Sequence, residues 1–170
     1  SYRINFIIIH YTALDTIMDS INFLCEKRNK VSSHYIISKS GKIYNLVSEN
    51  KRAWHAGKCY WGGVTDINSS SIGIELDYPA SNKNQKFSNE LIISLMNLLK
   101  KIVKKYKISP NNVLGHSDIA PYRKIDPGQN FPWYKIEKKQ LSFYIKKIKN
   151  KTFLKYLLKK WYLKNKFNSQ

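Results

Sequence analysis

Acidic side chains are scarce in this sequence. Eleven Asp and Glu stand against thirty Lys and Arg among 170 residues, a net charge of +19. Such a balance points to an anionic partner: nucleic acid, a membrane surface or a polyanionic envelope polymer. The excess is uneven, because residues 134–170 hold twelve lysines and a single glutamate, more than half of it. For that tail, an anionic partner and a lysine-biased composition are equally good explanations; for the body the compositional one is preferred. Cysteine is nearly absent. Cys25 and Cys59 make neither a disulfide framework nor a Cys-rich zinc site, and at most one bridge. No apolar run reaches membrane-spanning length and no signal peptide is visible, although Ser1 stands so close to the first expected strand that an upstream segment stays open. Internal repeats and flexible linkers are missing too. What is present, 42% hydrophobic and 14% aromatic residues, is the composition of a globular chain long enough for a sizeable core.

Taken in order, Ile4 to Ile9 (INFIII) is a short β-branched run, a buried strand ending at His10. A polar residue there stands where α/β sheets present functional groups. Asp15 is expected to cap a helix over Thr16 to Lys27, with Ile17, Ile21 and Leu24 on one face and Cys25 beside it. SHYIISKSGKIYNLV reads as a hairpin turning at Ser40-Gly41. The following KRAWHAGKCYWGGVTDINSS has the length of a functional loop. SIGIEL, Ser71 to Leu76, is a second buried strand, and its Glu75 needs a partner or a task. Ser88 caps a long helix reaching about Tyr106, striped by Leu91, Leu95, Leu98, Leu99 and Ile102. Two further helices are expected over about 137–149 and 152–166.

GHSDIAPYRKIDPG, residues 115–128, gathers His116, Lys124 and Asp126 in one proline-broken segment. Pro121 and Pro127 donate no amide hydrogen, so a shaped loop is expected, neither helix nor central strand. Lys124 beside Asp126 is either a salt bridge or part of a metal site. A hydrolytic zinc wants three protein donors and an open position for water, and His10, His116 and Asp126 make a suitable set. Each histidine has a duller reading as a hydrogen-bonded structural residue, preferred for His34 and nearly as good as a cleft role for His55.

HYT at 10–12, VSSHYII at 31–37, RAWHAG at 52–57, SIGIEL at 71–76 and GHSDIAPYRKIDPG with FPW at 131–133 together resemble one family. It is that of the zinc-dependent N-acetylmuramoyl-L-alanine amidases of the AmpD/AmiD kind, related to phage amidase lysozymes and peptidoglycan recognition proteins. The resemblance spans nearly all of residues 4–134. It implies an α/β fold with a central mixed β-sheet flanked by helices, one zinc ion, and hydrolysis of the amide joining N-acetylmuramic acid to L-alanine. By position it implies His10, His116 and Asp126 as zinc ligands, with Glu75 and Lys124 catalytic. Glu75 would act as general base and then acid, and Lys124 would face the developing oxyanion. A Glu75–Lys124 salt bridge is the alternative. Trp54, His55, Trp61 and Asn68 are candidates for substrate contact, the tryptophans otherwise packing in the core.

Two positions depart from parts of the family. Ser33 stands where some relatives carry a catalytic tyrosine, and Asp66 where AmpD/AmiD-like members tend to have an arginine.

The expected organisation is an amidase domain over 1–136 and a basic helical C-terminal extension over 137–170. In the extension Phe153, Leu154, Leu157, Leu158 and Trp161 share a face, to dock on the body or lie on an anionic membrane. The expected partner is peptidoglycan or a muropeptide, the expected state a monomer, and the favoured location the periplasm or cell envelope, with the cytoplasm open. The rivals are a non-catalytic peptidoglycan-binding module of the same fold and a basic nucleic-acid-binding protein. The second rests on charge alone.

Overall fold

A computed structural model of the protein describes residues 3–79 and 85–143. Of the helix expected over 137–149 positions 137–143 are described, and the helix expected over 152–166 and the amphipathic face of the extension lie outside the described residues. The described part corrects the first of these: Glu137 ends a short helix, 138–140 turn away from it, and 141–143 are not helical.

Strand β1 (Phe6–Tyr11) is followed by helix α1 (Ile17–Cys25), strands β2 (Tyr35–Ile37) and β3 (Ile43–Asn45), and strand β4 (Ser71–Leu76). Helix α2 (Asn89–Tyr106), strand β5 (Val113–Gly115), and short helices α3 (His116–Ile119) and α4 (Trp133–Glu137) complete the order. The five strands form one mixed sheet ordered β3-β2-β4-β1-β5. Strands β2, β4, β1 and β5 run parallel, and β3 adds an antiparallel edge through the expected hairpin.

Alternation along β1 and β4 gives the sheet two unlike faces. Ile7 and Ile9 of β1, with Ile72, Ile74 and Leu76 of β4, pack in one cluster with Leu91, Leu95, Leu98, Leu99 and Ile102 of α2. Each such fully buried aliphatic side chain contributes about 1.5–3 kcal/mol. Ser88 caps α2 by accepting from the Leu91 amide at 3.3 Å. On the opposite face Phe6 and Ile8 meet Ala56, Cys59, Ile67, Leu114, Ile119 and Ala120 in a smaller cluster. The remaining β4 positions, Ser71, Gly73 and Glu75, alternate with its three core residues. In register His10 lies beside Glu75, so both belong to the second face.

Three local expectations need correction. Thr16, not Asp15, caps α1, accepting from the Asp19 amide at 3.1 Å. Cys25 is exposed instead of flanking an apolar face, and it and buried Cys59 are both free thiols. The 115–128 segment is not loop throughout, since its first residues form the single turn of α3. The Gly115 amide donates to Asp118 Oδ2 at 2.7 Å, and this satisfies the helix start ahead of the prolines.

Candidate active site

Three segments distant in sequence deliver the central group. His10 comes from the C-terminal end of β1 and His116 from the first position of α3, which directly follows β5. Asp126 returns from the loop after α3, held by a hydrogen bond from the Ser117 amide to its carbonyl at 2.9 Å. Gly115 allows that return, because a Cβ there would stand 2.6 Å from Pro127 Cδ. All three side chains are buried.

Their donor atoms form a nearly equilateral triangle. His10 Nδ1 lies 3.0 Å from His116 Nδ1 and 3.0 Å from Asp126 Oδ2, and His116 Nδ1 lies 3.1 Å from the same oxygen. One proton can bridge only one edge of such a triangle; a cation can bridge all three. Tetrahedral zinc with bonds of about 2.0 Å sets its donors about 3.3 Å apart, so the residues present fit such an ion. His116 Nε2 donates to the Ala56 carbonyl at 3.0 Å, which orients the ring with Nδ1 turned inward. Burial lowers the His10 pKa to about 4, against the hydrogen bond to Asp126, so the His10 ring is neutral at pH 7. Burial pushes the Asp126 carboxyl up, yet the two imidazoles hold it well below the usual carboxylate range.

Glu75 and Lys124 line the same cleft of about 360 Å³ as the triangle. Glu75 Oε2 is sealed from solvent without a hydrogen-bond partner, and burial, then the Asp126 charge, raises its pKa to about 8. Among the described residues no ion pair joins Glu75 to Lys124, so the salt bridge considered for them is not formed. Trp54 stands at the rim, 55% exposed, with the Arg52 guanidinium 4.2 Å over its ring. Past Trp54 a second groove of about 570 Å³ continues the cleft, sharing Leu24, Val31 and Ser32.

The other three proposed substrate contacts are placed differently. Asn68 is buried, and its Oδ1 accepts the amides of His55 and Ala56 at 3.0 and 2.8 Å, pinning the 51–70 loop. Trp61 packs on the smaller apolar cluster and does not line the cleft. His55 reaches the cleft wall but is buried, with both ring nitrogens engaged by protein atoms. His34 is likewise satisfied, accepting from the Gly73 amide and donating to the Lys51 carbonyl. Arg123, which the motif reading passed over, donates to the Ala56 and Lys58 carbonyls at 2.7 and 2.8 Å and ties the two loops that frame the cleft. Only its place inside the 115–128 motif hinted at this.

Two imidazoles and a carboxylate around one point, with a further carboxyl alongside, at the C-terminal ends of parallel strands, form a donor set that could hold one metal ion. The chain belongs to the N-acetylmuramoyl-L-alanine amidase family, whose model matches residues 1–129. It is 42% identical over 147 residues to the N-acetylmuramoyl-L-alanine amidase AmiD of Escherichia coli K12, covering 79% of this chain and 52% of that protein. To the 1,6-anhydro-N-acetylmuramyl-L-alanine amidase AmpD of Haemophilus influenzae it is 43% identical over 105 residues, 61% of this chain and 55% of that one. The chain thus spans little more than half the length of these relatives. The solved structure of E. coli AmiD with anhydro-N-acetylmuramic acid-L-Ala-D-gamma-Glu-L-Lys superposes with a TM-score of 0.78 at 37% identity, over 85% of this chain and 60% of that one. AmpDh3 of Pseudomonas aeruginosa gives 0.79 at 34% identity, over 85% and 63%.

Proposed function

We propose that this protein is a zinc-dependent hydrolase cleaving the amide between the lactyl group of N-acetylmuramic acid and L-alanine, in peptidoglycan or muropeptides. The observation that carries this is the placement of the His10, His116 and Asp126 donors, all within 4.8 Å of one another, beside a carboxyl with an unpartnered oxygen. A zinc ion held by those three residues supplies a Lewis acid and brings the pKa of water toward ~7. Glu75 takes the proton of the attacking water and delivers it to the leaving nitrogen; a carboxyl whose pKa lies near neutrality suits both transfers. Lys124, which lines the same cleft, faces the carbonyl oxygen as it gains charge. Trp54 offers an apolar surface to the substrate at the rim. AmiD and AmpDh3 have been solved with anhydromuramyl peptides, which supports the substrate class. The proposed place of action is the cell envelope.

Mass spectrometry of intact and anhydro-muropeptides incubated with protein tests the reading. Loss of the stem peptide is expected, its arrest by a chelator, and its return on adding zinc. Zinc-loaded protein that binds muropeptide without cleaving it overturns the hydrolase and leaves a binding module.

A further inference from the structure

Beneath the metal ligands runs a chain of hydrogen bonds whose direction the geometry determines. It starts at the Ile67 carbonyl, which accepts the Ser71 hydroxyl at 2.7 Å. A serine has one hydroxyl hydrogen. With that hydrogen committed, Ser71 Oγ meets His55 Nε2, 3.1 Å away, as an acceptor, and His55 Nε2 carries a proton. Buried between the His10 and His34 rings, with centroids 5.1 and 5.9 Å away, the His55 ring is the neutral imidazole with one proton only. Its Nδ1 is therefore bare. That bare nitrogen lies 3.0 Å from His10 Nε2 and can only accept. The proton of His10 then sits on Nε2, and its Nδ1 lone pair points at Asp126 and His116.

We infer that His55 is a positioning residue for His10, and that Ser71 sets the direction of the relay. Together they present His10 Nδ1 as a ready metal ligand. The fold makes room for this. A Cβ at Gly73 would stand 2.5 Å from His55 Cγ, so the glycine in SIGIEL lets the ring lie against the strand between Ser71 and Glu75. Asn68 fixes the His55 backbone amide from the other side. The ring meets His10 edge-on, with centroids 5.1 Å apart and planes at 80°, and its Nδ1 lies within hydrogen-bond distance of His10 Nε2. Ala56 does the same for His116 through its carbonyl, so adjacent residues of one loop orient both ligating rings. His55 thereby acts on the ion through His10 and spends its polar atoms on the protein.

The inference rests on the zinc reading of the site, and the experiment separates the two. Zinc affinity is measured by competition with a chromophoric chelator for the wild type, His55→Phe and His55→Asn. Phe keeps a ring against Gly73 but has no acceptor; Asn loses the ring yet keeps an acceptor near the position of Nδ1. Loss of an outer partner of a ligating histidine costs about 10–100-fold in metal affinity, and a loss of that size is expected for His55→Phe, with partial recovery in His55→Asn. Should Phe bind as tightly as wild type, or Asn be the weaker of the two, the ring is packing and the inference falls. A raised KM for muropeptide with unchanged zinc affinity also overturns it, and returns His55 to substrate contact. A wild type that binds no zinc removes the metal centre itself, and the inference with it. If the variants do not fold, nitrogen-15 shifts of the zinc-loaded wild type decide: His55 protonated on Nε2 and bare on Nδ1 supports the relay, and the reverse tautomer ends it.

Discussion

The two faces of one sheet have been put to opposite uses. Toward α2, strands β1 and β4 present isoleucine and leucine, and the contact is dry, branched and without polar demand. Toward the loops they present His10, Ser71, Gly73 and Glu75, where nearly every polar atom has a named partner. The exception is the Glu75 carboxyl, whose Oε2 is sealed from solvent without a partner, and it marks where the chemistry is expected. Stability is concentrated on one side and reactivity on the other, with a single layer of backbone between. Substitutions on the first face should move melting and leave chemistry alone. On the second they should change chemistry, and stability only where a buried titratable group is replaced.

The sharpest break is at Glu75. Replacement by Gln should lower turnover by about 10²–10⁴-fold, read as muropeptide cleavage, because the proton carrier is lost. It should also stabilise the metal-free protein at high pH. The folded wild type holds the Glu75 proton to about pH 8, whereas the ordinary value is 4.5, so its stability is full below 4.5 and is lost as pH rises through 8. Gln carries no such loss. Denaturant unfolding should thus find the two proteins alike at pH 4.5 and the variant ahead by roughly 2–4 kcal/mol at pH 9. A variant no more stable at pH 9 would mean that the glutamate is not strained by its setting.

Next in size is Leu95→Ala, on the far face. Leu95 is fully buried, and its truncation should cost about 2–5 kcal/mol while turnover below the melting range stays within twofold. A comparable fall in turnover would show that the faces are coupled. Lys124→Ala should reduce turnover by about 10²-fold, as for loss of an oxyanion partner, with zinc affinity and melting little changed. The smallest effect belongs to Arg52, which pairs with Asp66 at 2.9 Å on the exposed rim. Arg52→Ala should change stability by under about 1 kcal/mol and show chiefly as a raised KM, through a loosened Trp54.

How far this division was legible from sequence differs by face. The isoleucine runs and the stripe of α2 gave the apolar side directly, since period 2 and period 3.6 are properties of the string. The family resemblance pointed to His10, His116 and Asp126, and the chain does bring them together. Asn68, His55 and Trp61 were harder. Their residue types suit a substrate groove, but whether a side chain faces solvent or the protein depends on how the 51–70 loop folds back, and no periodicity encodes that. Ser71 and Gly73 carried a faint signal, two small residues alternating with isoleucine. Only the position of the His55 ring gives that spacing a meaning.

The register that sets His10 beside Glu75 has one more consequence. Inserting or deleting a single residue within β1 or β4 would invert every side chain beyond it, sending an imidazole or a carboxyl into the helix-packed layer and an isoleucine into the cleft. Length variation in descendants of this chain should therefore collect in the connections and spare both strands, so that the spacing from Phe6 to His10 and from Ser71 to Glu75 stays constant even where the residue types between them drift.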